Sequence, residues 1–162
     1  MPRLDRLIGR DWRLTIAGAC GSRRARALAG ERVEFLGRVE DLSGLYDRAR
    51  LFVAPTRFSA GIPHKVHEAA AFGLPVVATP ALAAQLDWTD GEHLLHAADA
   101  EAFAAQCARL YADAELWGRI RAGALARVAV DCDPRAFDAG VADLLPPARA
   151  SLDAQRLATA AE

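Results

Sequence analysis

Leu51-Phe52-Val53-Ala54-Pro55, a loop through Arg57 and Gly61, Lys65-Val66-His67-Glu68-Ala69-Ala70-Ala71-Phe72-Gly73, then Leu74-Pro75-Val76-Val77-Ala78-Thr79: this run reads as strand, loop, helix and strand. The two strand segments are almost wholly apolar, as in strands covered on both faces. Pro63 suits the first position of a helix, because its missing N–H is one the helix start leaves unpaired anyway. Gly73 ends that helix by taking the left-handed conformation. Lys65 and His64 then fall in the first turn, where the macrodipole is positive and acids are preferred. Lys65 is also the one lysine beside nineteen arginines. Cations, open N–H groups and a flexible Gly61 at one helix start make an anion site. The run therefore points to a phosphate-bearing ligand.

Outward from this run, strand and helix alternate. Upstream, strands are predicted at Trp12 to Ala19, Arg32 to Leu36 and Arg50 to Ala54. Helices are predicted from Arg23 to Ala29 and from an Asp41 cap through Arg48, with Leu42, Leu45 and Tyr46 on one face. Downstream come a strand over Leu74 to Thr79 and a short one over His93 to His96. The later part is helical, with caps at Asp99, Asp113 and Asp133. The apolar residues Phe103, Cys107 and Leu110 are expected inward, then Leu116, Ile120 and Val128, then Phe137, Val141 and Leu144. Such alternation implies βαβ units and a parallel sheet flanked by helices, an α/β Rossmann-like class. A single domain is expected over residues 1–146, with a helix-prone, alanine-rich tail over 147–162.

The composition fits one ordinary domain with a real core. A formal charge of −1 gives no broad basic field, and nucleic acid is not an expected partner. Cys20, Cys107 and Cys132 are odd in number and far apart, which favours a reducing, cytoplasmic setting. The start is amphipathic rather than apolar, and no run nears the ~20 apolar residues that a membrane span needs.

In an open parallel sheet, ligands bind beyond the carboxyl ends of the strands. Gly18 to Ser22, the loop after Pro55, and Thr79-Pro80 all sit at such ends, and are expected to share one crevice. Glu68 lies on the helix after Pro63. Its carboxylate can accept hydroxyl hydrogen bonds from a ribose, or pair with Lys65 or His64 on the helix surface. Arg57 either grips a diphosphate bidentately or faces water. His64 and His67 can share a helix face but lack the Cys or carboxylate partners of a metal site, and His93 and His96, spaced by three near a predicted strand, point to opposite faces. Gly18-Ala19-Cys20-Gly21 is not a full dinucleotide fingerprint and has no P-loop lysine.

Taken in order, Leu14-Thr15-Ile16-Ala17-Gly18, Val33 to Val39, Leu45 to Pro55 and Lys65 to Thr79 resemble the carboxyl-terminal half of a group 1 (family 4) retaining glycosyltransferase. Asp90-Gly91-Glu92-His93 and the helices from Asp99 to Val128 extend the resemblance, which runs from about Trp12 to about Leu145. It implies the donor-binding domain of a GT-B enzyme with two facing Rossmann-like domains. The substrate implied is a nucleotide-diphosphate sugar, the activity hexosyltransferase-like with retention, and no cofactor or metal is implied. Lys65 would stabilise the leaving diphosphate, with Arg57, Ala60, Gly61, Ile62, His64 and Gly18 at the donor, and Glu68 would bind the ribose. The family's first glutamate falls at Ala60. The surrounding Arg57, Phe58, Ala60, Gly61, Ile62, Lys65 and Val66 match a family variant. The family's upstream strand and its amino-terminal acceptor domain have no counterpart here. The isolated chain is therefore expected to turn over little, and to need that domain from the same or another chain. The acceptor, whether sugar, lipid or small molecule, is left open, as is peripheral attachment to the inner membrane face through the missing domain. A non-catalytic nucleotide-binding or interaction module is the alternative. A nucleotide-sugar isomerase of the same architecture ranks below both.

Overall fold

The computed structural model describes residues 2–19, 22–58 and 61–144. It divides into two compact units, residues 1–128 and 129–162. In the first unit, helix α1 (Pro2–Ile8) precedes strand β1 (Leu14–Ala17), helix α2 (Arg23–Arg26) and strand β2 (Val33–Gly37). Helix α3 (Ser43–Tyr46), strand β3 (Phe52–Ala54), helix α4 (His64–Ala71) and strand β4 (Val76–Ala78) follow. Helix α5 (Pro80–Leu86), strand β5 (Leu95–His96), helix α6 (Ala100–Ala112) and helix α7 (Ala114–Asp131) come next. The described part of the second unit includes helix α8 (Pro134–Leu144).

All strand pairing in these elements is parallel, as the alternation of strand and helix requires. The strands form two sheets rather than one: β1 with β2, and β3-β4-β5. The strands are shorter than their apolar runs. Trp12 and Arg32, just outside β1 and β2, tie these strands to α1 through their side chains. Trp12 Nε1 donates to Asp5 Oδ1 at 3.0 Å, and Arg32 Nη2 donates to Asp5 Oδ2 at 3.0 Å. The Arg32 guanidinium lies 4.4 Å from the Trp12 ring centroid, a cation–π contact. Arg32 holds the Asp5 carboxyl down to about 2, against desolvation, with Trp12 adding to the effect.

The core shows the period of two that a fully covered strand demands. Val76 and Ala78 face a cluster with Tyr46, Val66, Ala69, Leu82 and Leu94. Val77, between them, faces the opposite cluster of Leu95, Cys107, Leu110, Leu116 and Ile120. Fully burying each of the larger side chains contributes about 1.5–3 kcal/mol.

Several boundaries differ from the expected ones. Pro63 is the residue before α4, with ψ 70°, and the helix begins at His64. Gly73 ends the turn at φ +76°, its N–H bonded to Ala70 O at 2.8 Å. Asp41 does cap, but as a turn: its Oδ1 accepts from Ser43 N at 2.9 Å, and Leu42 occupies the cap position. Helix α2 ends at Arg26, short of Ala29. Asp99 accepts from Glu101 and Ala102 amides, and Asp113 from Leu116, so those caps stand where expected. The inward assignment of Phe137, Val141 and Leu144 is wrong. They are 71%, 37% and 85% exposed, because an amphipathic period announces an apolar stripe but not its cover. The expected tail from 147 lies outside the described residues. Among the described residues no helix is long and apolar enough to cross a membrane.

Candidate functional site

The carboxyl ends of β1 and β3 open into one cavity of about 1220 Å3. Ala17, Pro55, Arg57, Lys65 and Glu68 line it at that end, with Tyr46 beside them. Thr56 organises this corner. Its carbonyl accepts from Thr79 Oγ1 at 2.7 Å, tying the loop after β3 to the end of β4. Its hydroxyl accepts from Lys65 Nζ at 2.6 Å, fixing the ammonium on the cavity wall. An ammonium carries three donors, so two remain for a ligand.

Glu68 is one turn further along α4. Lys65 turns to Thr56 instead of to Glu68, and the group that senses the Glu68 charge is the phenol of Tyr46. Tyr46 is 8% exposed, and its ring centroid stacks 4.8 Å from that of Phe72. Burial pushes its phenol up to about 12, reinforced by the nearby Glu68 carboxylate. Tyr46 therefore stays neutral, with its hydroxyl available as a hydrogen-bond donor beside the exposed carboxylate. Neither Tyr46 nor Thr56 was singled out from the sequence. Tyr46 looked like one more apolar position of α3, and its one signal was a polar tip on a buried face, which needs a partner.

The start of α4 supplies fewer open amides than a generic helix end. His64 N donates to Ile62 O at 2.9 Å, and Val66 N donates to Pro63 O at 2.8 Å. The positive character of this corner thus rests chiefly on Lys65 and Arg57. Gly61 adopts φ +83°, and Ile62 is 63% exposed; Gly61, Ile62 and His64 do not line the cavity. Gly18 follows Ala17, with φ +119°, its N–H donating to Gly37 O at 2.6 Å. Ala60 lies outside the described residues. Among the described residues no three His, Cys, Asp or Glu side chains gather as a metal site.

A cation pair, a fixed carboxylate and strand carboxyl ends around one cavity suit a phosphorylated nucleoside. The family model for glycosyl transferases group 1 matches residues 1–113. This chain belongs to the group 1 glycosyl transferases. No curated protein matches it in sequence. Among solved structures it is similar to HepE of Anabaena in complex with UDP-glucose, at 20% identity and TM-score 0.70, over 82% of this chain and 40% of that one. Sucrose-phosphate synthase of Thermosynechococcus elongatus is similar at 25% identity and TM-score 0.70, over 93% and 39%. The C-terminal domain of the group 1 glycosyl transferase LpcC from Francisella tularensis is similar at 20% identity and TM-score 0.56, over 67% and 57%. These likenesses give the fold, that of a GT-B glycosyltransferase domain. The chain spans about two fifths of the length of HepE.

Proposed function

We propose that the corner formed by Arg57, Lys65 and Glu68 binds a nucleotide-diphosphate sugar, and that the chain is the donor half of a retaining, hexosyltransferase-like enzyme. One observation carries this reading. The Lys65 ammonium, anchored on Thr56, and the Glu68 carboxylate, beside the phenol of Tyr46, line one cavity at the carboxyl ends of the strands. The HepE structure, with UDP-glucose on a similar fold, supports it.

Glycosyl transfer breaks the bond between the anomeric carbon and the phosphate oxygen. Negative charge grows on the departing diphosphate, and fixed cations aimed at it lower the barrier. Lys65 and Arg57 fill that role here, rather than a metal ion. Glu68 accepts hydrogen bonds from the ribose hydroxyls and positions the nucleoside without entering the chemistry. The cavity is open, and a dry reaction space needs an opposite wall. An amino-terminal acceptor domain, in the same or another chain, supplies that wall and the acceptor site. Alone, the chain binds donor weakly and turns over little. The setting is cytoplasmic, with any contact to the inner membrane face made through the acceptor domain.

The second reading is a non-catalytic nucleotide-binding module, favoured by Ala60 where the family's first glutamate falls. Calorimetry with UDP, GDP and ADP tests the common ground of both. Specific binding of one of them, weakened at least tenfold by Lys65→Ala, supports the site. No binding of any at millimolar concentration excludes it.

A further inference from the structure

Strands β3 and β4 are parallel, with Ala54 opposite Ala78. Their carboxyl ends therefore emerge side by side, with Thr56 just past one and Thr79 just past the other. Thr79 stands at the N-cap of α5, with φ −88° and ψ 157°. A threonine there ordinarily accepts from an amide of the first helical turn, and the helix start is weaker without that bond. Thr79 makes no such bond. Its hydroxyl donates instead to Thr56 O at 2.7 Å, while its carbonyl accepts from Leu82 N and Ala83 N. A residue that forgoes its local preference marks a place where another requirement is met.

That requirement becomes visible at Lys65. Lys65 and Glu68 are three residues apart on α4, a spacing at which opposite charges meet on a helix surface. Both are exposed, and both line the cavity. Among the described residues they form no ion pair with each other; the ammonium donates to Thr56 Oγ1 at 2.6 Å instead. The Tyr46 phenol lies beside Glu68. An exposed pair at this spacing is weak, and a hydrogen bond that carries a full charge outweighs it. The choice of Lys65 thus depends on the Thr56 oxygen being in place. Thr56 belongs to the loop after β3, and the bond from Thr79 fixes its backbone. Were Lys65 to fold onto Glu68, the cation meant for phosphate and the acceptor meant for ribose would satisfy each other.

We propose that Thr79 and Thr56 are positioning residues that hold Lys65 away from Glu68, so that the donor corner does not neutralise itself. Neither threonine lines the cavity. Thr79 acts through the Thr56 carbonyl, and Thr56 acts through the Lys65 ammonium. The benefit to a nucleotide rests on the donor reading above; the separation of the two charges does not.

Lys65 is the one lysine of the chain, so lysine labelled with carbon-13 and nitrogen-15 gives a single side-chain ammonium resonance. The measurement is the movement of that resonance on Glu68→Gln, in the otherwise unsubstituted chain and in Thr56→Val, Thr79→Val and Thr79→Ser. In the unsubstituted chain the movement is small. In both valine variants it is at least about threefold larger, because Lys65 then senses Glu68 directly. Thr79→Ser keeps the hydroxyl and the small movement. Should Thr79→Val fail to fold, Thr79→Ala takes its place. Equal movements in all backgrounds overturn the proposal. A large movement in Thr56→Val with none in Thr79→Val overturns the role of Thr79. Calorimetry of the nucleotide that binds best runs on the same chains. Each valine variant weakens it about two- to tenfold, the cost of ordering Lys65 afresh, and the double variant loses no more than either alone. Unchanged affinity beside a larger lysine movement overturns the claim that the separation serves the ligand. No nucleotide binding to the unsubstituted chain removes the donor reading, and the lysine resonance still decides whether the two charges are held apart.

Discussion

Replacing Tyr46 by phenylalanine removes a single oxygen from a buried ring and leaves the stack on Phe72 intact. Hydrogen bonds to charged groups contribute about 1.5–3 kcal/mol when both partners are sheltered. Glu68 is exposed and regains water, so the stability loss should stay at or below ~1 kcal/mol. Ligand affinity should respond differently. Without the phenol, the Glu68 side chain must be ordered by the nucleoside itself, which costs about 0.5–1.5 kcal/mol. That corresponds to a loss of roughly 2- to 12-fold in affinity. The assay is calorimetry of the nucleotide that binds best, on Tyr46→Phe, Glu68→Ala and the double variant. The expected pattern is coupling: in the Glu68→Ala background, Tyr46→Phe changes affinity no further. Additive losses would show that Tyr46 acts on the ligand by some other route and would refute the positioning argument.

The same pair predicts an alkaline transition. The Tyr46 phenol is raised above its ordinary 10 to about 12, so its contribution to stability is complete below pH 10 and fades as pH rises through 12. Glu68→Gln should lower the midpoint of its absorbance titration while leaving it above 10, because burial is the larger cause. At the acid end, Asp5 is depressed to about 2, so its pairing with Arg32 and Trp12 persists above about pH 4 and is lost as pH falls through 2. Trp12→Phe should remove the fluorescence change that follows this loss. Gly123→Ala should destabilise the chain despite the better helix propensity of alanine. A Cβ there would lie 2.2 Å from the Glu92 carbonyl oxygen. The clash should cost about 1–3 kcal/mol, read as a fall in melting temperature, against at most ~1 kcal/mol of propensity gained.

Much of this fold is written locally. The apolar strands, Gly73 at a left-handed helix end, and the caps at Asp99 and Asp113 are signals carried within a few residues. The cavity corner was legible to the same extent, because Arg57, Lys65 and Glu68 lie on one loop–helix segment. What escaped is non-local. Tyr46 reaches Glu68 from another helix, and Thr56 becomes the hub only when Thr79 arrives from the end of β4. The division of the sheet depends on which strands become neighbours in space, and alternation fixes direction but not order. Helix α8 repeats the lesson: Phe137 and Leu144 share a stripe, yet spacing alone names no cover.

The most direct measurement is a nitrogen–proton correlation spectrum of the isotope-labelled chain, titrated with UDP, GDP and ADP. Shifts clustered at Thr56, Lys65 and Glu68, saturating with one of the three nucleotides and absent in Lys65→Ala, are the expected result. Saturable shifts that leave those amides untouched, or none at millimolar nucleotide, would contradict the donor corner.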